Sequence, residues 1–457
     1  MLWLFNTSNP HQRKNARHAA PARIFSRAET SFLGLRIASL QASMHSPSKS
    51  LALLLSLALS PAAALATGLD WPQWRGPDRT HVSKETGLLK SWPAGGPKRL
   101  WVFENAGHGY SAPAISNGKY FTLGTRDGNE ILLVLDANTG KELWTAKLGS
   151  VLDNDWGDGP RGTPTVDGDR VYALSGRGNL VCISATDGKV LWQVTLQKLG
   201  GEIPKWGYTE SVTVDGARVL CTTGGSKGAV AALDKLTGKV IWQSTDFTDP
   251  AHYSSVVPAS INNTAQYVQR TEKSVVGLDA ATGKLLWQTA FQGRTAVIPT
   301  PIVRGNEVYV TAGYGAGCKM VRIEPGNKVT EVYENKVIKN HHGGVVLIGD
   351  HIYGHGDPAW VCQNFKTGEE VWSHRGFGKG AVAAADGMLY CLEEQSGNVV
   401  LVEASPKGWK ESGRFKLDPQ TKIRSARGKV WTHPVISHGK LYLRDQDLIH
   451  CFDVKAP

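Results

Sequence analysis

Short apolar runs separated by polar turns recur along the chain from about residue 98 onward. The clearest recurring phrase is a polar turn, an aliphatic pair and a Trp, as in DANTGKELW. Four copies follow one another at intervals of about 45 to 50 residues, and a fifth copy ends about two periods after the fourth. The copy between them carries Tyr333 in place of Trp. The Trp residues at this point of the repeat are Trp144, Trp192, Trp242, Trp287 and Trp372.

A second marker, a tight polar turn followed by an aliphatic or aromatic pair, lies upstream in each unit. Asn-Gly and Asp-Gly favour two-residue hairpins, because Gly accepts the positive φ of a type I′ turn. With no helical periodicity between the markers, each unit is predicted to hold four short antiparallel strands. The eight copies are NGKYF at 117, DGDRVY at 167, DGARVL at 215, NNTAQYV at 262, GNEVY at 305, GDHIY at 349, DGMLY at 386 and HGKLY at 438.

The last unit supplies three strands before Pro457, so its fourth strand has to come from elsewhere. The phrase PKRLW aligns with GKELW and places Trp101 in the vacant Trp position of that unit. We therefore predict an all-β fold, an eight-bladed β-propeller of four-stranded antiparallel blades over residues 98–457, with the N-terminal strand completing the last blade. This pairing closes the ring and removes two open sheet edges. Burying each repeat Trp contributes roughly 4 to 6 kcal/mol as an upper bound.

Residues 44–66 have the pattern of a secretory signal peptide. Lys49 precedes an apolar run, and Ala64-Leu65-Ala66 forms a small-residue cleavage site without a following Cys. The run is shorter than the roughly 20 residues that a membrane span needs. The protein is expected to be soluble and exported to the periplasm or the extracellular space, with no stable membrane insertion. Residues 1–43 are expected to be a disordered or non-native leader ahead of a start at Met44, and residues 67–97 an N-terminal extension.

The formal charge of +11 is concentrated in the N-terminal part of the chain. Residues 1–66 carry seven Lys or Arg and one acid, which leaves 44 bases and 39 acids, or +5, for the rest. A nucleic-acid-binding protein usually concentrates Lys and Arg on one face or helix, whereas here they are spread between the repeats. We therefore expect no nucleic-acid partner.

The six cysteines favour free thiols over a disulfide framework. None is adjacent to another in sequence, and no Cys-x-x-Cys-His haem motif is present. Cys182, Cys362 and Cys451 occupy the same strand position of separate units, where equivalent positions cannot meet. Buried free thiols are predicted, in keeping with the general burial of Cys.

The repeat resembles the PQQ-like β-propeller repeat of quinoprotein dehydrogenases and of the outer-membrane-assembly lipoprotein BamB, over about residues 98–457. Three longer stretches are similar to a family of exported bacterial propellers: WPQWRGPDR at 71, GPRGTPTVDGDRVYALSGRGNLVC at 159 and RIEPGNKVTEVYENKVIKNHH at 322. For a dehydrogenase, the resemblance implies pyrroloquinoline quinone (PQQ) and Ca²⁺ as cofactors. Such enzymes typically place a vicinal Cys pair against the quinone, and this sequence has none.

The loop DNDWGDG offers three closely spaced carboxylates, those of Asp153, Asp155 and Asp158. Oxygen ligands at such spacing could hold Ca²⁺. The alternative is a polar turn stabilised by Asp side chains. Pro164 stands where an EF-hand has its bidentate Glu, so the loop is not an EF-hand.

The loops that enter the innermost strand of each blade are rich in aromatic and His residues, and all open beside the central channel. Stacking, charge and hydrogen bonds there could hold a planar or anionic ligand or a peptide. The alternative is that these rings cap the channel and pack blade against blade. If extended, His341 and His342 should point to opposite sides. The candidate ligand-binding residues are Trp156, Arg161, Trp206, Tyr208, His252, Tyr253, His341, His342, Trp431 and His433.

Together these features predict an exported, monomeric propeller that acts as a binding or scaffold module, with a protein or small-molecule ligand at the channel rim. The rival function is a PQQ-dependent alcohol dehydrogenase similar to polyvinyl-alcohol dehydrogenase. Quinone chemistry needs a base and a divalent cation beside the cofactor. Among acids near the rim, only Glu210 and the Asp153–Asp158 loop could serve, and no catalytic residue is assigned.

Overall fold

The structure is a computed structural model, and it describes residues 68–457. The expected leader (residues 1–43) and signal peptide (residues 44–66) lie outside the described residues. The described part contains 33 β-strands and two short 3-10 helices, Leu196–Leu199 and Pro325–Asn327. Two strands precede the repeats, β1 (Val82–Ser83) and β2 (Arg99–Phe103).

Blades 1 to 4 each consist of four consecutive antiparallel strands. Blade 1 holds β3–β6: Ala114–Ser116, Lys119–Arg126, Asn129–Asp136 and Glu142–Ser150. Blade 2 holds β7–β10: Thr165–Asp167, Arg170–Leu174, Asn179–Ser184 and Val190–Thr195. Blade 3 holds β11–β14: Thr213–Asp215, Arg218–Thr222, Val230–Asp234 and Val240–Gln243. Blade 4 holds β15–β18: Val257–Ile261, Thr264–Arg270, Ser274–Asp279 and Leu285–Ala290.

Blades 5 to 8 repeat this plan, with one added strand in blade 7. Blade 5 holds β19–β22: Ile302–Arg304, Glu307–Ala312, Gly317–Glu324 and Lys328–Asn335. Blade 6 holds β23–β26: Val345–Ile348, His351–His355, Trp360–Asn364 and Glu370–His374. Blade 7 holds β27–β30: Gly380–Ala385, Met388–Glu393, Asn398–Glu403 and Glu411–Lys416, with β1 parallel to β27. Blade 8 holds β31–β33: Val435–Ser437, Lys440–Asp445 and Leu448–Asp453.

The N-terminal strand completes blade 8. Strand β2 pairs antiparallel with β33, and Trp101 lies opposite Cys451 in the register. The predicted eight-bladed ring and its closure by the N-terminal strand are therefore confirmed. In the other blades Cys182 faces Trp192 and Cys362 faces Trp372, so the equivalence of these positions holds across the ring.

The repeat Trp of one blade packs on the turn glycine of the next blade. A Cβ added at Gly140 would lie 2.7 Å from the ring of Trp101, and one at Gly283 would lie 2.3 Å from the ring of Trp242. Both glycines also have φ near +70° (71° and 75°). The turn phrase thus needs Gly twice over, for a left-handed backbone and for close approach of the ring.

Blade 7 obtains its Trp from outside the repeat. Gly413 occupies the register position of the repeat Trp, opposite Leu401. Trp92 of the N-terminal extension fills the space, and its ring lies 5.3 Å from Phe415 and 6.0 Å from Tyr390 between centroids. The extension therefore replaces a missing core residue, which spacing within the repeat could not reveal.

Apolar side chains form eight buried clusters in the described part, each joining two neighbouring blades. Each cluster joins two blades because a blade in a propeller buries its apolar faces only against the two blades beside it. All six cysteines are buried free thiols, as predicted. Among residues 68–457, no helix has the length and apolar character to cross a bilayer.

The segment of residues 71–83, here called the channel segment, runs through the central channel. Trp71 forms an isolated bridge with blade 1, and β1 pairs with the innermost strand of blade 7. Side chains and backbone groups of the segment bond to residues at or just before the innermost strand of every blade. From blade 1 to blade 8 these residues are Ile115, Val166, Val212, Val256, Thr300, Val345, Ala384 and Pro434.

Candidate functional site

The loops that lead into the innermost strands enclose a cavity of about 300 Å³ at one mouth of the channel. Eight of the ten candidate ligand-binding residues line it. The sequence pattern had pointed to these loops because each precedes an inner strand and carries a ring. The eight are Trp156, Arg161, Trp206, Tyr253, His341, His342, Trp431 and His433.

Tyr208 and His252 do not line the cavity. Tyr208 is buried against blade 3, and its hydroxyl donates to the carbonyl oxygen of Thr223 (3.1 Å). The Nδ1 of His252 accepts a hydrogen bond from the backbone N–H of Val297 (3.0 Å). Both rings therefore pack between blades, which is the alternative that the sequence left open for the rim residues.

The position of Tyr208 outside the cavity gives a testable prediction for Tyr208→Phe. The variant leaves the buried carbonyl of Thr223 without its hydroxyl partner, so the free energy of unfolding should fall by about 1 kcal/mol. Ligand affinity should stay at the native value, because the ring lies outside the cavity. Urea denaturation measures the first effect and ligand titration the second. A loss of affinity in a fully folded variant would place Tyr208 in the site after all.

Several lining residues escaped the sequence argument. Trp74 comes from the channel segment rather than from a blade, and Tyr314 lies in a turn between the second and third strands of blade 5. Tyr110, in the loop that enters blade 1, also lines the cavity, although it was not among the ten candidates. The remaining additions are aliphatic or hydroxyl-bearing residues without a distinctive spacing. They are Thr209, Ser211, Ser255, Thr295, Ala296 and Ile298.

Cations stand over the aromatic walls of the cavity, whereas none of the lining residues is Asp or Glu. Such contacts stabilise the cation through the ring quadrupole. Arg161 is also fixed by donating to the carbonyl oxygens of Gly159 (2.9 Å) and Gly157 (2.8 Å). The three pairs, with distance from the charged group to the ring centroid, are Arg161 with Tyr110 (5.2 Å), Lys205 with Trp206 (5.0 Å) and Arg427 with Trp156 (5.8 Å).

His341 and His342 lie in irregular backbone, and both rings line the cavity with their centroids 4.9 Å apart. The expectation that they point to opposite sides is wrong, because it assumed an extended strand. His341 Nδ1 accepts from Lys379 Nζ (2.8 Å), and its Nε2 contacts the Tyr314 hydroxyl (3.0 Å). Both ring nitrogens of His341 are therefore engaged by neighbouring side chains.

The cavity histidines are neutral at pH 7. Burial lowers the pKa of His341 to about 2, with His342 and Lys379 adding to the shift. Burial likewise lowers the pKa of His433 to about 3, and it lowers the pKa of His342. His433 Nε2–H donates to the carbonyl oxygen of His342 (2.7 Å), which fixes its tautomer. The fixed positive charge of the site therefore comes from Arg and Lys.

Glu394 lies behind the cavity wall and orients it. Its carboxylate accepts from His342 Nε2 (2.9 Å) and from the indole Nε1–H of Trp431 (3.1 Å), and Lys379 lies 3.8 Å away. Burial alone would raise the pKa of Glu394, but these donors and the Lys379 charge outweigh it and hold the pKa below its usual range. Glu394 stays ionised and is already paired, so it is a positioning residue.

The structure does not gather the three carboxylates of the 153–158 loop into a metal site. Asp158 Oδ1 accepts from the backbone N–H of Asn154 (2.7 Å), as expected of a polar turn. Asp153 pairs with Arg177 (3.4 Å) and Asp155 with Arg427 (3.4 Å). Across residues 68–457, no three His, Cys, Asp or Glu side chains are grouped so as to hold a metal ion.

The fold and the cavity define a class of protein: an eight-bladed propeller of PQQ-like repeats with an aromatic, cationic channel mouth. Residues 127–400 match the family described as outer membrane protein assembly factor BamB. The match covers more than half of the chain, and the protein belongs to this family. The resemblance stated from the repeats is thereby confirmed.

Individual relatives match over shorter stretches. BamB of Shewanella oneidensis is 23% identical over 216 residues, which cover 43% of this chain and 49% of the relative. Quinohemoprotein alcohol dehydrogenase ADH IIB of Pseudomonas putida is 27% identical over 224 residues, which cover 44% of this chain and 31% of the relative. The chain thus spans half or less of these curated relatives. The crystal structure of BamB from Moraxella catarrhalis superposes with a TM-score of 0.56 at 13% identity, covering 78% of this chain and 99% of that one, which shows a common fold.

Proposed function

We propose that the protein is an exported, monomeric propeller that binds a ring-bearing ligand or partner segment in the channel-mouth cavity and serves as a scaffold in the cell envelope. The observation that carries the proposal is a cavity of about 300 Å³ with aromatic walls, cations over three of its rings and no lining carboxylate. Apolar cavities with a few fixed polar groups are the usual form of a binding site. The family description, an assembly factor, supports a protein partner.

The chemistry of the cavity favours an aromatic group that carries a negative charge. The walls of Trp156, Trp206 and Trp431 offer faces for stacking. Arg161 provides a guanidinium beside them, and the neutral histidines add no charge that would oppose burial of an apolar ring. A free aromatic acid, or an aromatic side chain beside a carboxylate in a partner, has both features.

The residues present do not fit the cofactor set of the rival dehydrogenase. Coordination of Ca²⁺ beside the quinone needs several carboxylate or amide oxygens, and the cavity lining contains no Asp, Glu, Asn or Gln. Glu210, one of the acids considered from sequence, is fully engaged by Thr222, whose backbone N–H and hydroxyl donate to its carboxylate. The six thiols are all buried and unpaired, so none forms a vicinal pair.

The test uses anilinonaphthalene sulfonate, an aromatic anion, titrated into the folded protein and followed by fluorescence and calorimetry. We expect one saturable site, and Trp156→Ala should weaken binding about tenfold, as for the loss of a partly exposed aromatic contact. Leu236→Ala is the matched control, because Leu236 is 55% exposed but lies in a turn of blade 3 outside the cavity. Equal loss in both variants, or no saturable binding, would contradict the proposal.

A parallel titration with PQQ and Ca²⁺ separates the two functions. We expect no dye reduction with primary or secondary alcohols after incubation with both. Turnover that depends on quinone and Ca²⁺ would replace the binding function with the dehydrogenase.

A further inference from the structure

Trp74 of the channel segment forms part of the cavity lining, although it belongs to no blade. Its indole Nε1–H donates to Thr300 Oγ1 (3.0 Å) at the entry to blade 5. On its other side the ring meets His433 edge to face, with centroids 4.7 Å apart. His81 of the same segment stacks on His433 at 5.1 Å. The N-terminal extension therefore supplies the floor of a site whose walls come from the blades.

We propose that Trp74 is the specificity-determining residue that limits how long an aromatic ligand the cavity accepts. The inference rests on the proposed binding function and adds the residue that sets ligand size. The channel segment is bonded to all eight blades, and Trp74 is its one residue in the cavity lining, so a ligand that enters from the rim meets the segment at the Trp74 ring.

Two arginines of the segment hold this floor in place. Arg75 Nη2 donates to the carbonyl oxygens of Val345 (2.7 Å) and Thr80 (3.1 Å). Arg79 donates to the carbonyl oxygens of Val212 (2.9 Å) and Val256 (3.2 Å). These bonds tie the residues flanking Trp74 to blades 3, 4 and 6. Arg75 and Arg79 act on the ligand only through Trp74 and are positioning residues.

The backbone of the segment shows that the floor is fixed rather than mobile. Arg75, Arg79 and His81 have φ of 64°, 55° and 64°, a left-handed conformation that costs non-glycine residues free energy. Such conformations persist only where the surroundings over-determine them. All three side chains are buried. The floor should therefore reject an over-long ligand instead of yielding to it.

The experiment compares rigid aromatic carboxylates of increasing length on the full protein by calorimetry: benzoate, 2-naphthoate and 2-anthroate. The quantity measured is the ratio of dissociation constants for the three-ring and two-ring acids. Trp74→Ala should shift this ratio at least tenfold in favour of the three-ring acid, because the added ring gains buried area. Trp74→Phe removes less volume, is the safer variant for folding, and should shift the ratio in the same direction by a smaller factor.

Trp71→Phe is the matched control, since Trp71 belongs to the same segment but packs beneath Gly76 and His81 and does not line the cavity. It should lower the melting temperature and leave the ratio unchanged. An unchanged ratio in folded Trp74→Ala and Trp74→Phe would overturn the role of Trp74 while leaving the binding function in place. If the native protein binds none of the three acids, both the binding function and this inference fail.

Discussion

Trp101→Ala is expected to lower the free energy of unfolding of the propeller by about 3 to 5 kcal/mol, the range for large aromatic truncations in a core. The ring of Trp101 is 9% exposed and lies between Tyr120 of blade 1 and Tyr442 of blade 8, at 6.2 and 6.0 Å between centroids. It also covers Gly140 of the next blade. Because this one side chain joins the closing strand to both blades, its loss weakens the seam of the whole ring.

The comparison variant is Leu100→Ala, one residue earlier in the same strand and 38% exposed. It should change the free energy of unfolding by less than about 1 kcal/mol. Urea or thermal unfolding of the three proteins at one pH measures both effects. Equal stability of Trp101→Ala and native protein would mean that the seam is held by strand pairing alone.

Acidification from pH 6.5 to pH 5 is expected to lower the free energy of unfolding by about 6 kcal/mol through four buried histidines. Burial lowers the pKa values of all four to about 4 or less, whereas in the unfolded chain each titrates near 6.5. A group with a depressed folded pKa supports stability above its unfolded pKa and loses that support as the pH falls. Between pH 6.5 and pH 5 each loses roughly 1.6 kcal/mol of this support, because the unfolded His is already half protonated at pH 6.5. The four are His341, His355, His433 and His450.

Protonation of Glu210 raises the free energy of unfolding, but by less than the histidines lower it. Burial raises its pKa to about 7, above the unfolded value, and hydrogen bonds from Thr222 and the charge of Arg79 only partly offset this. As the pH falls from 7 toward 4.5 the folded state takes up the proton first, which restores about 2 kcal/mol. The net loss from Glu210 and the four histidines is about 4 kcal/mol, a large part of the stability of a typical domain, so a marked loss of stability near pH 5 is expected. Burial also raises the pKa of Glu130, which acts in the same direction as Glu210. Burial lowers the pKa values of His81, His252 and His342, which add to the loss.

His450→Phe tests this account of the acid transition. His450 is fully buried with neither ring nitrogen hydrogen-bonded, and its ring lies parallel to Phe452 at 6.2 Å. Phe fits the same space without a titrating group. The variant should lose roughly 1.6 kcal/mol less than the native protein between pH 6.5 and pH 5, as measured by urea denaturation at each pH. An identical pH slope would show that His450 is protonated in the folded state.

The cavity shows where prediction from sequence succeeded and where it failed. Trp156, Trp206 and Trp431 were identified because they lie in the loops that lead into the innermost strands, and these loops open at the channel mouth. Tyr208 satisfied the same rule but lies inside the blade-to-blade packing. The spacing places a residue on a loop, whereas the direction of its side chain depends on the neighbouring blade.

The extension illustrates the same limit more strongly. Trp74 and Trp92 follow no period, and Trp74 is 226 residues away from its hydrogen-bond partner Thr300 in the sequence. Trp92 occupies a gap that exists only because blade 7 has Gly413 in its Trp position. Neither contact has a local signature, because each joins the extension to a blade far away in the chain.

The sequence by itself determined the number of blades, the strands within them, the free buried thiols and the closing strand. Those features depend on hairpin turns and on contacts that recur at one period, so each copy reinforces the assignment of the others. The tertiary structure alone decided the path of the channel segment, the floor of the cavity and the neutral state of its histidines. These depend on contacts made once, between parts far apart in the chain, and on burial that only the closed ring creates.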